Sequence, residues 1–330
     1  MRAEVVIVGY RNADEIRACL LALGQSTFAN AGIHICENGG DAAYAALLES
    51  LGAIAQPPTE AEPFARTTAR HRTVLINGDR QVWLHRAAEN LGYAGAINVC
   101  LGAIAADAAY DFVWILNPDT VPEPDALSAL AAHQQAGGYG IVGSRLVLQG
   151  KGRIQLYGAR WRPWIARGFN IGLGAPADAV PDVAAIEASM DYVAGAAMFV
   201  PRAFIEAVGG FDERYFLYYE ETDWCFRRGT FRLGYAHDAV VHHAHGSTIG
   251  SSVVKRMRSP LSVYLDERNK LLFTRRYWRW HYPVVVVTTL LLLGQYLKAG
   301  AYRNFAVALS GWFAGIRGET GLPRRFRPSP

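Results

Sequence analysis

The sequence predicts an α/β protein: an open, mostly parallel sheet with helices on both faces, followed by an amphipathic helical tail. Three observations predict it. The chain opens as a strand, a helix and a second strand; strand-like and helix-like runs keep alternating to about residue 150; and the strongest strand, FVWIL, stops abruptly at the polar turn NPDT. Such alternation marks parallel sheets, whose ligands bind beyond the carboxyl ends of the strands.

Glu4 to Val8 is a continuous β-rich run, as expected of a strand covered on both faces. Asn12 or Asp14 can cap the helix that follows, Ile16, Cys19, Leu20 and Leu23 recur at helical spacing, and Gly24 can stop it. GIHICENGG reads as a second strand breaking into a Gly-Gly turn. Residues 56–80, rich in Pro, Thr and Arg and lacking a clear period, read as an excursion from the sheet. VWLHR is a further strand, and ENLGYAGAINVCLGAIAAD a turn feeding a helix from about Ala94 to Ala106. After FVWIL come a helix from about Pro124 to Ala136 and a strand from Ile141 to Val147. The Gly-, Pro- and Trp-rich stretch 161–181 reads as loop, DYVAGAAMFV as a strand, RAFIEAVGG as a short helix with a glycine stop, and Tyr235 to Val241 as a last strand. The strand-end loops that matter therefore begin at Gly9-Tyr10, Glu37-Asn38 and Asn117-Pro118-Asp119.

Composition narrows the function. A chain of 330 residues, 51% hydrophobic and 19% charged, can bury the core of one large domain with an appendage, or of two domains. Its net charge of +4 conceals a division: residues 251–330 carry 14 Lys and Arg against 3 Asp and Glu, so the body is acidic and the tail basic. Such a tail suits an anionic membrane face, a phosphate-bearing substrate or nucleic acid, and charge alone does not choose. Cys19, Cys36, Cys100 and Cys225 form no C-x-x-C pair, which argues against a zinc knuckle or disulfide framework and for a reducing cytoplasm. MRAEVVIVGY is already a strand, with no signal-peptide core, so export is not expected. Neither a G-x-G-x-x-G after the first strand, nor a phosphate-binding G-x-x-x-x-G-K-[ST], nor a G-x-S-x-G elbow is present, which argues against a dinucleotide dehydrogenase, a P-loop enzyme and a serine hydrolase.

Three places carry chemistry. FLYYEETDWCFRR packs Glu220, Glu221 and Asp223 among five aromatic rings. On a helix, Asp223 has Arg227 four residues on, which is enough to account for it, whereas Glu221 points along the face of Trp224 and Cys225, where a charge is costly unless something uses it. Asn117-Pro118-Asp119 can hold a divalent cation against a diphosphate, or simply form a Pro-Asp turn capping the next helix. HHAHGS, residues 242–247, supplies three imidazoles near a later strand end, with His243 and His245 on one side and His242 on the other.

Taken in order, VVIVGYRNADEIRACLLAL, ENGG, ENLGYAGAIN, FVWILNPDT, DYVAGAAMFVPRAFIEAVGGFDERYFLYYEETDWCFR and AVVHHAHGST resemble glycosyltransferase family 2, particularly its bacterial rhamnosyltransferase-like members, as far as about Trp278. The resemblance implies a GT-A fold over residues 1–275, with a nucleotide-sugar half (1–150) and an acceptor and catalytic half (151–250), and inverting transfer from a nucleotide-sugar donor. It implies that the acidic pair Glu220-Glu221 supplies the general base through Glu221. It implies Mg²⁺ or Mn²⁺ at Asp119, joined by a histidine of the later strand, here His243 in preference to His242 or His245. Glu37, beside Asn38, lies where the family usually carries an aspartate reaching the pyrimidine base; the backbone of Val8 and Gly9, next to Tyr10, approaches the nucleotide. Asn90, Gly92 and Asn98 match N-L-G-x-x-G-x-x-N on the donor side. Two departures stand out: Asn117-Pro118-Asp119 replaces the common Asp-x-Asp, and Glu-Glu replaces Glu-Asp.

SVYLDERNKLLFTRRYWRW resembles the helix that ends these enzymes, with Arg268 and Asn269 at matching positions. PVVVVTTLLLLGQYL follows, 15 residues of which nine are Val or Leu, short of the ~20 needed to span a bilayer. Arg275, Arg276, Tyr277, Trp278, Arg279 and Trp280 precede it, so residues 276–330 are expected to lie in the interface at the inner face of the cell membrane, with a helix docked on the protein or forming a homodimer as the alternative. The reading that follows is a transferase extending a cell-surface polysaccharide on a lipid carrier, with no nucleic-acid partner, and with thymidine diphosphate rhamnose as the donor the branch suggests. The competing readings are a nucleotidyltransferase, which would need a basic signature loop where GYRNADE stands, and a noncatalytic membrane or nucleic-acid adaptor.

Overall fold

A computed structural model describes residues 1–107, 109–244 and 254–327. The chain begins with β1 (Ala3–Gly9), α1 (Ala13–Gly24), β2 (Ala31–Glu37) and α2 (Asp41–Leu51). An edge follows, β3 (Thr59–Ala61), β4 (Thr67–Val74) and β5 (Gln81–Ala87). α3 (Gly92–Asp107) leads to β6 (Phe112–Leu116), the short β7 (Thr120–Pro122), α4 (Ala126–Gly137) and β8 (Ile141–Leu148). The second half adds β9 (Arg153–Leu156), β10 (Gly158–Arg162), β11 (Arg167–Ile171), α5 (Val183–Ser189), β12 (Ala197–Pro201), α6 (Arg202–Val208), α7 (Glu220–Phe226) and β13 (Leu233–His243). Four helices close the fold: α8 (Pro260–Tyr277), α9 (Tyr282–Leu292), α10 (Gly294–Lys298) and α11 (Tyr302–Arg317).

One sheet runs through both halves in the order β3-β4-β5-β2-β1-β6-β12-β8-β13-β7. β1 is buried along its whole length between parallel partners, Gly9 opposite Glu37 on one side and Ile7 opposite Leu116 on the other. The chain thus builds outward from β1 in one direction and returns to its other side at β6, which opens a crevice at the carboxyl ends of the central strands. β12 runs antiparallel against β6, pairing Ala197 with Leu116, and so carries the second half of the chain to the same edge. Apolar clusters fill both faces of the sheet, and the four cysteines are buried and unpaired.

Two stretches read as irregular are strands. Within 56–80, β3 pairs with β4 and β4 with β5, both antiparallel, so the segment extends the sheet. Its charges hide the pattern: the Arg70 guanidinium, one of the buried groups of TTARHRTV, lies 4.0 Å from the Trp83 ring centroid and pairs with Asp107. Within 161–181, β10 and β11 form a hairpin whose last pair is Arg162 opposite Arg167.

The tail is a packed unit. A Cβ on Gly311 would stand 2.4 Å from the Tyr264 carbonyl oxygen and one on Gly315 2.7 Å from that of Arg268, so these glycines let α11 lie directly on the backbone of α8. α9 buries Val285 and Thr289 and presents Val284, Val287 and Leu291, one helical face, to the outside, and Trp280 in the turn before it is exposed as well. Trp164, at the β10–β11 turn, is also exposed, and its ring lies against His281. No helix among the described residues is long and apolar enough to cross a membrane.

Candidate active site

The short pairing of β7 with β13 sets His243 opposite Thr120, and this register brings the imidazole to the NPD turn: His243 Nε2 lies 3.2 Å from Asp119 Oδ1, both side chains nearly buried. Gln155 Oε1 accepts from His243 Nδ1 at 2.8 Å, which leaves Nε2 as the nitrogen facing the carboxylate. His242 turns to the other side of the strand, 3.2 Å from Glu123, and His245 and Ser247 lie outside the described residues. A buried carboxylate converging with an imidazole nitrogen whose other nitrogen is already held fits a divalent cation. Among the described residues, no group of three or more His, Cys, Asp and Glu forms a larger cluster.

The three acids of the EETD segment have three environments. Asp223 is committed to structure: it accepts from Arg227 Nε at 2.7 Å and Tyr277 Oη at 2.8 Å, with Arg276 3.0 Å away. Glu220 is buried and its Oε2 has no hydrogen-bond partner. Glu221 lines an open cleft, with Gly195 so close that a Cβ there would stand 3.1 Å from the Glu221 Cγ. Burial pushes both glutamates up, Glu220 well above the usual carboxylate range because the charge of Glu221 adds to the effect, while backbone hydrogen bonds restrain Glu221. Two adjacent buried carboxyls thus resist carrying charge together, and the upward push is the larger at Glu220.

This placement depends on a strained approach. Phe216, Tyr218 and Tyr219 have φ of 67°, 68° and 76°, left-handed values that side chains other than glycine rarely adopt. Asn269 of α8 holds the segment: its Nδ2 donates to the carbonyls of Tyr215, Leu217 and Tyr218 at 2.9, 2.8 and 2.9 Å. Arg268, fully buried, adds a bond to Tyr215 O at 2.9 Å.

Tyr93 joins the two sides, and the sequence reading passed over it. Its hydroxyl lies 2.9 Å from Asn117 Oδ1 and 3.1 Å from the Gly195 carbonyl oxygen. Burial raises its pKa, and the charges of Glu220, Glu221 and Asp119 all push it the same way, so one buried phenol senses both candidate centres. Its position between the glycines of N-L-G-Y-A-G was the available signal.

Residues 4–260 match the family described as glycosyltransferase like family 2. The chain belongs to that family. Agl10, the low-salt glycan biosynthesis hexosyltransferase of Haloferax volcanii, is 26% identical over 242 residues, 72% of this chain and 76% of that protein. The N-acetylglucosaminyl-diphospho-decaprenol L-rhamnosyltransferase of Mycobacterium tuberculosis is 32% identical over 183 residues, which is 48% of this chain and 58% of that protein. Among solved structures, the mannosyltransferase PcManGT of Pyrobaculum calidifontis, in complex with GDP-Man and Mn²⁺, superposes with a TM-score of 0.51 at 12% identity, over 96% of this chain and 87% of that one. S. aureus TarS 1-349 in complex with UDP-GlcNAc gives 0.51 at 11% identity, over 97% and 93%. The fold is of the GT-A type, and the protein is a glycosyltransferase.

In this family 2 glycosyltransferase the other residues expected on the donor side differ in what they contact. Glu37 is buried beneath Gly9, where a Cβ would come within 2.4 Å of its Oε2. Its Oε1 accepts from the backbone N–H of Arg11 and Gly39 at 3.1 and 2.7 Å, so it shapes both strand-end loops, below the exposed Tyr10, while burial raises its pKa. Asn38 donates to Gly92 O at 3.0 Å, and Asn90 Oδ1 accepts from Gly92 N at 3.0 Å. Gly92, at φ 72°, packs so close to Phe216 that a Cβ would meet its carbonyl oxygen at 2.3 Å. The Asn98 amide is engaged with the backbone of Phe211, donating at 2.9 Å and accepting at 2.8 Å, which ties α3 to the loop before α7.

Proposed function

We propose that the protein is an inverting glycosyltransferase that moves a sugar from a nucleoside-diphosphate donor to a hydroxyl of a lipid-linked or cell-surface glycan. The observation that carries this is the shared edge: Tyr93 and Gly195 tie the Asn117-Pro118-Asp119 turn to Glu221, so a sugar held at the turn would meet the carboxylate. Glu221 takes the proton of the acceptor hydroxyl as that oxygen bonds to the anomeric carbon, and the bond to the diphosphate breaks on the opposite face. Glu220, neutral beside it, keeps the pair at a single charge. Asp119 and His243 would hold Mg²⁺ or Mn²⁺, which when bound neutralises the departing diphosphate. Asn38, Asn90 and Gly92 hold the donor-side loops in register, with Val8 and Gly9 giving backbone to the nucleotide. The N-P-D-T turn and the mycobacterial relative's L-rhamnosyltransferase name favour thymidine diphosphate rhamnose as donor.

Glu221→Gln is expected to lower transfer by roughly 10²–10⁴-fold, the usual contribution of a general base, with donor binding by calorimetry retained. Transfer at the wild-type rate would remove Glu221 from this role. We also place the enzyme on the inner face of the membrane through the outward face of α9 and Trp164, beside the cations Arg275, Arg276 and Arg279. Flotation with anionic vesicles should fall severalfold in Trp280→Ser/Leu291→Ser; an unchanged fraction would leave that face without this function.

A further inference from the structure

Glu221 lines a cleft to which Asp119 does not contribute. The cleft holds about 270 Å³ and is lined by the rings of Trp161, Tyr192 and Tyr219 and by Lys255, Arg258 and Lys270 together with the carboxylates of Asp266 and Glu267. Arg167 of the β10–β11 hairpin adds a fourth cation to its lining. Ile165 and Leu292, both half-exposed, are part of the wall, so the cleft reaches the same turn and helix end that carry the apolar outer face. Neither the NPD turn nor the β1 loop lines it.

Its charges are unevenly matched. Arg258 Nη1 lies 3.0 Å from Asp266 Oδ2, and Lys270 Nζ 2.7 Å from Glu267 Oε2, so two cations have carboxylate partners. Lys255 Nζ sits 4.9 Å from the centroid of Tyr296, and among the described residues no carboxylate lies within ion-pair distance of it. Burial pulls its pKa down, and Arg258 and Lys270 push in the same direction against Asp266 and Glu267. A half-buried ammonium crowded by other cations favours an anion, which would restore the solvation it lost and screen its neighbours.

We propose that this cleft is an acceptor subsite for a phosphate group, with Lys255 as its direct contact and Arg258 and Lys270 as flanking cations. The proposal rests on the reading of Glu221 as the base on the acceptor side. It identifies the acceptor's chemistry: a hydroxyl-bearing group at Glu221, a phosphate or diphosphate further along the cleft, and an apolar chain leaving past Ile165 and Leu292. A phospholipid headgroup offers the same phosphate, so the test separates the two sources.

The full-length protein is titrated with geranyl diphosphate and, separately, with phosphatidylglycerol vesicles. Wild type, Lys255→Met, Lys255→Arg and Asp119→Ala are compared after their melting curves establish folding. Geranyl diphosphate should bind wild type, weaken about tenfold in Lys255→Met, as for loss of one charge-assisted hydrogen bond, recover in Lys255→Arg and stay unchanged in Asp119→Ala. Loss in Asp119→Ala with Lys255→Met intact would put the diphosphate at the donor side and overturn the proposal. So would absence of binding, or a Lys255 dependence seen with vesicles alone. None of these outcomes bears on Glu221→Gln, whose transfer rate judges the base assignment separately.

Discussion

The two sides of the proposed active site, a donor side at Asp119 and an acceptor side at Glu221, are built by different means. On the donor side, Asp119 and His243 are placed by sheet register: β7 pairs with β13, Asn117 N donates to Ala196 O at 2.9 Å, and regular strands do the positioning. On the acceptor side, Glu221 follows three residues in left-handed backbone, and side chains of α8 hold that backbone in place. The first side needs only the sheet. The second needs the C-terminal helices, because each such residue costs roughly 1–3 kcal/mol and persists only where the surroundings over-determine it. The packing of α11 on α8 through Gly311 and Gly315 is therefore part of how Glu221, the proposed base, is positioned.

The sharpest way to break this comparison is Asn269→Leu. It takes the donor from the carbonyls of Leu217 and Tyr218, at roughly 1–3 kcal/mol each, leaves the Tyr215 carbonyl to Arg268 alone, and frees the strained segment to relax. We expect a stability loss of roughly 3–5 kcal/mol in denaturant melts and a fall in transfer on the order of 100-fold, with metal-dependent donor binding retained in the folded fraction. Donor binding lost in parallel with transfer would mean that the two sides are not built independently.

The converse variant is Asp119→Ala. Thermal stabilisation by thymidine diphosphate rhamnose in the presence of Mn²⁺ is expected in wild type and is expected to vanish in the variant. The melting temperature without ligand should move by no more than a few degrees, since the turn that carries Asp119 is placed by the pairing of β7 with β13. If the ligand stabilises both proteins equally, Asp119 is not in the metal site.

The same contrast explains what the sequence disclosed. Regular elements were legible because they are periodic: β1, β6, α3 and α4 fall where apolar spacing puts them, and the Asp223–Arg227 pair forms as its spacing predicts. β4 and the β10–β11 hairpin were not, because arginines that stack on Trp83 and Phe169 look polar in the sequence while lying flat against rings in the fold. Tyr93 was missed for another reason. Its role arises from contacts to Asn117 and Gly195, 24 and 102 residues away, and the flanking glycines of N-L-G-Y-A-G mark the loop without marking those contacts. Arg268 and Asn269 were visible as residues of a helix, but their partners belong to a loop whose left-handed backbone the run FLYYEE, without a glycine, gives no hint of.

The smallest effect separates the two neighbouring glutamates. Glu220 has a folded-state pKa raised well above 4.5, chiefly by burial and then by the charge of Glu221, so the folded protein holds this proton more tightly than the unfolded chain does. Its contribution to stability is accordingly intact below about pH 4.5 and is lost progressively as the pH rises toward the folded-state value. Glu220→Gln imitates the protonated side chain and removes that loss. The melting temperature of the variant should therefore gain on wild type as the pH goes from 5 to 8, and transfer at pH 6 should stay within a few-fold of wild type, because Gln leaves Glu221 the single charge proposed for the pair. Parallel pH profiles for the two proteins would mean that Glu220 is ionised in the folded state. The proton would then be shared differently across the pair, and Glu221 would lose its claim to be the ionised member.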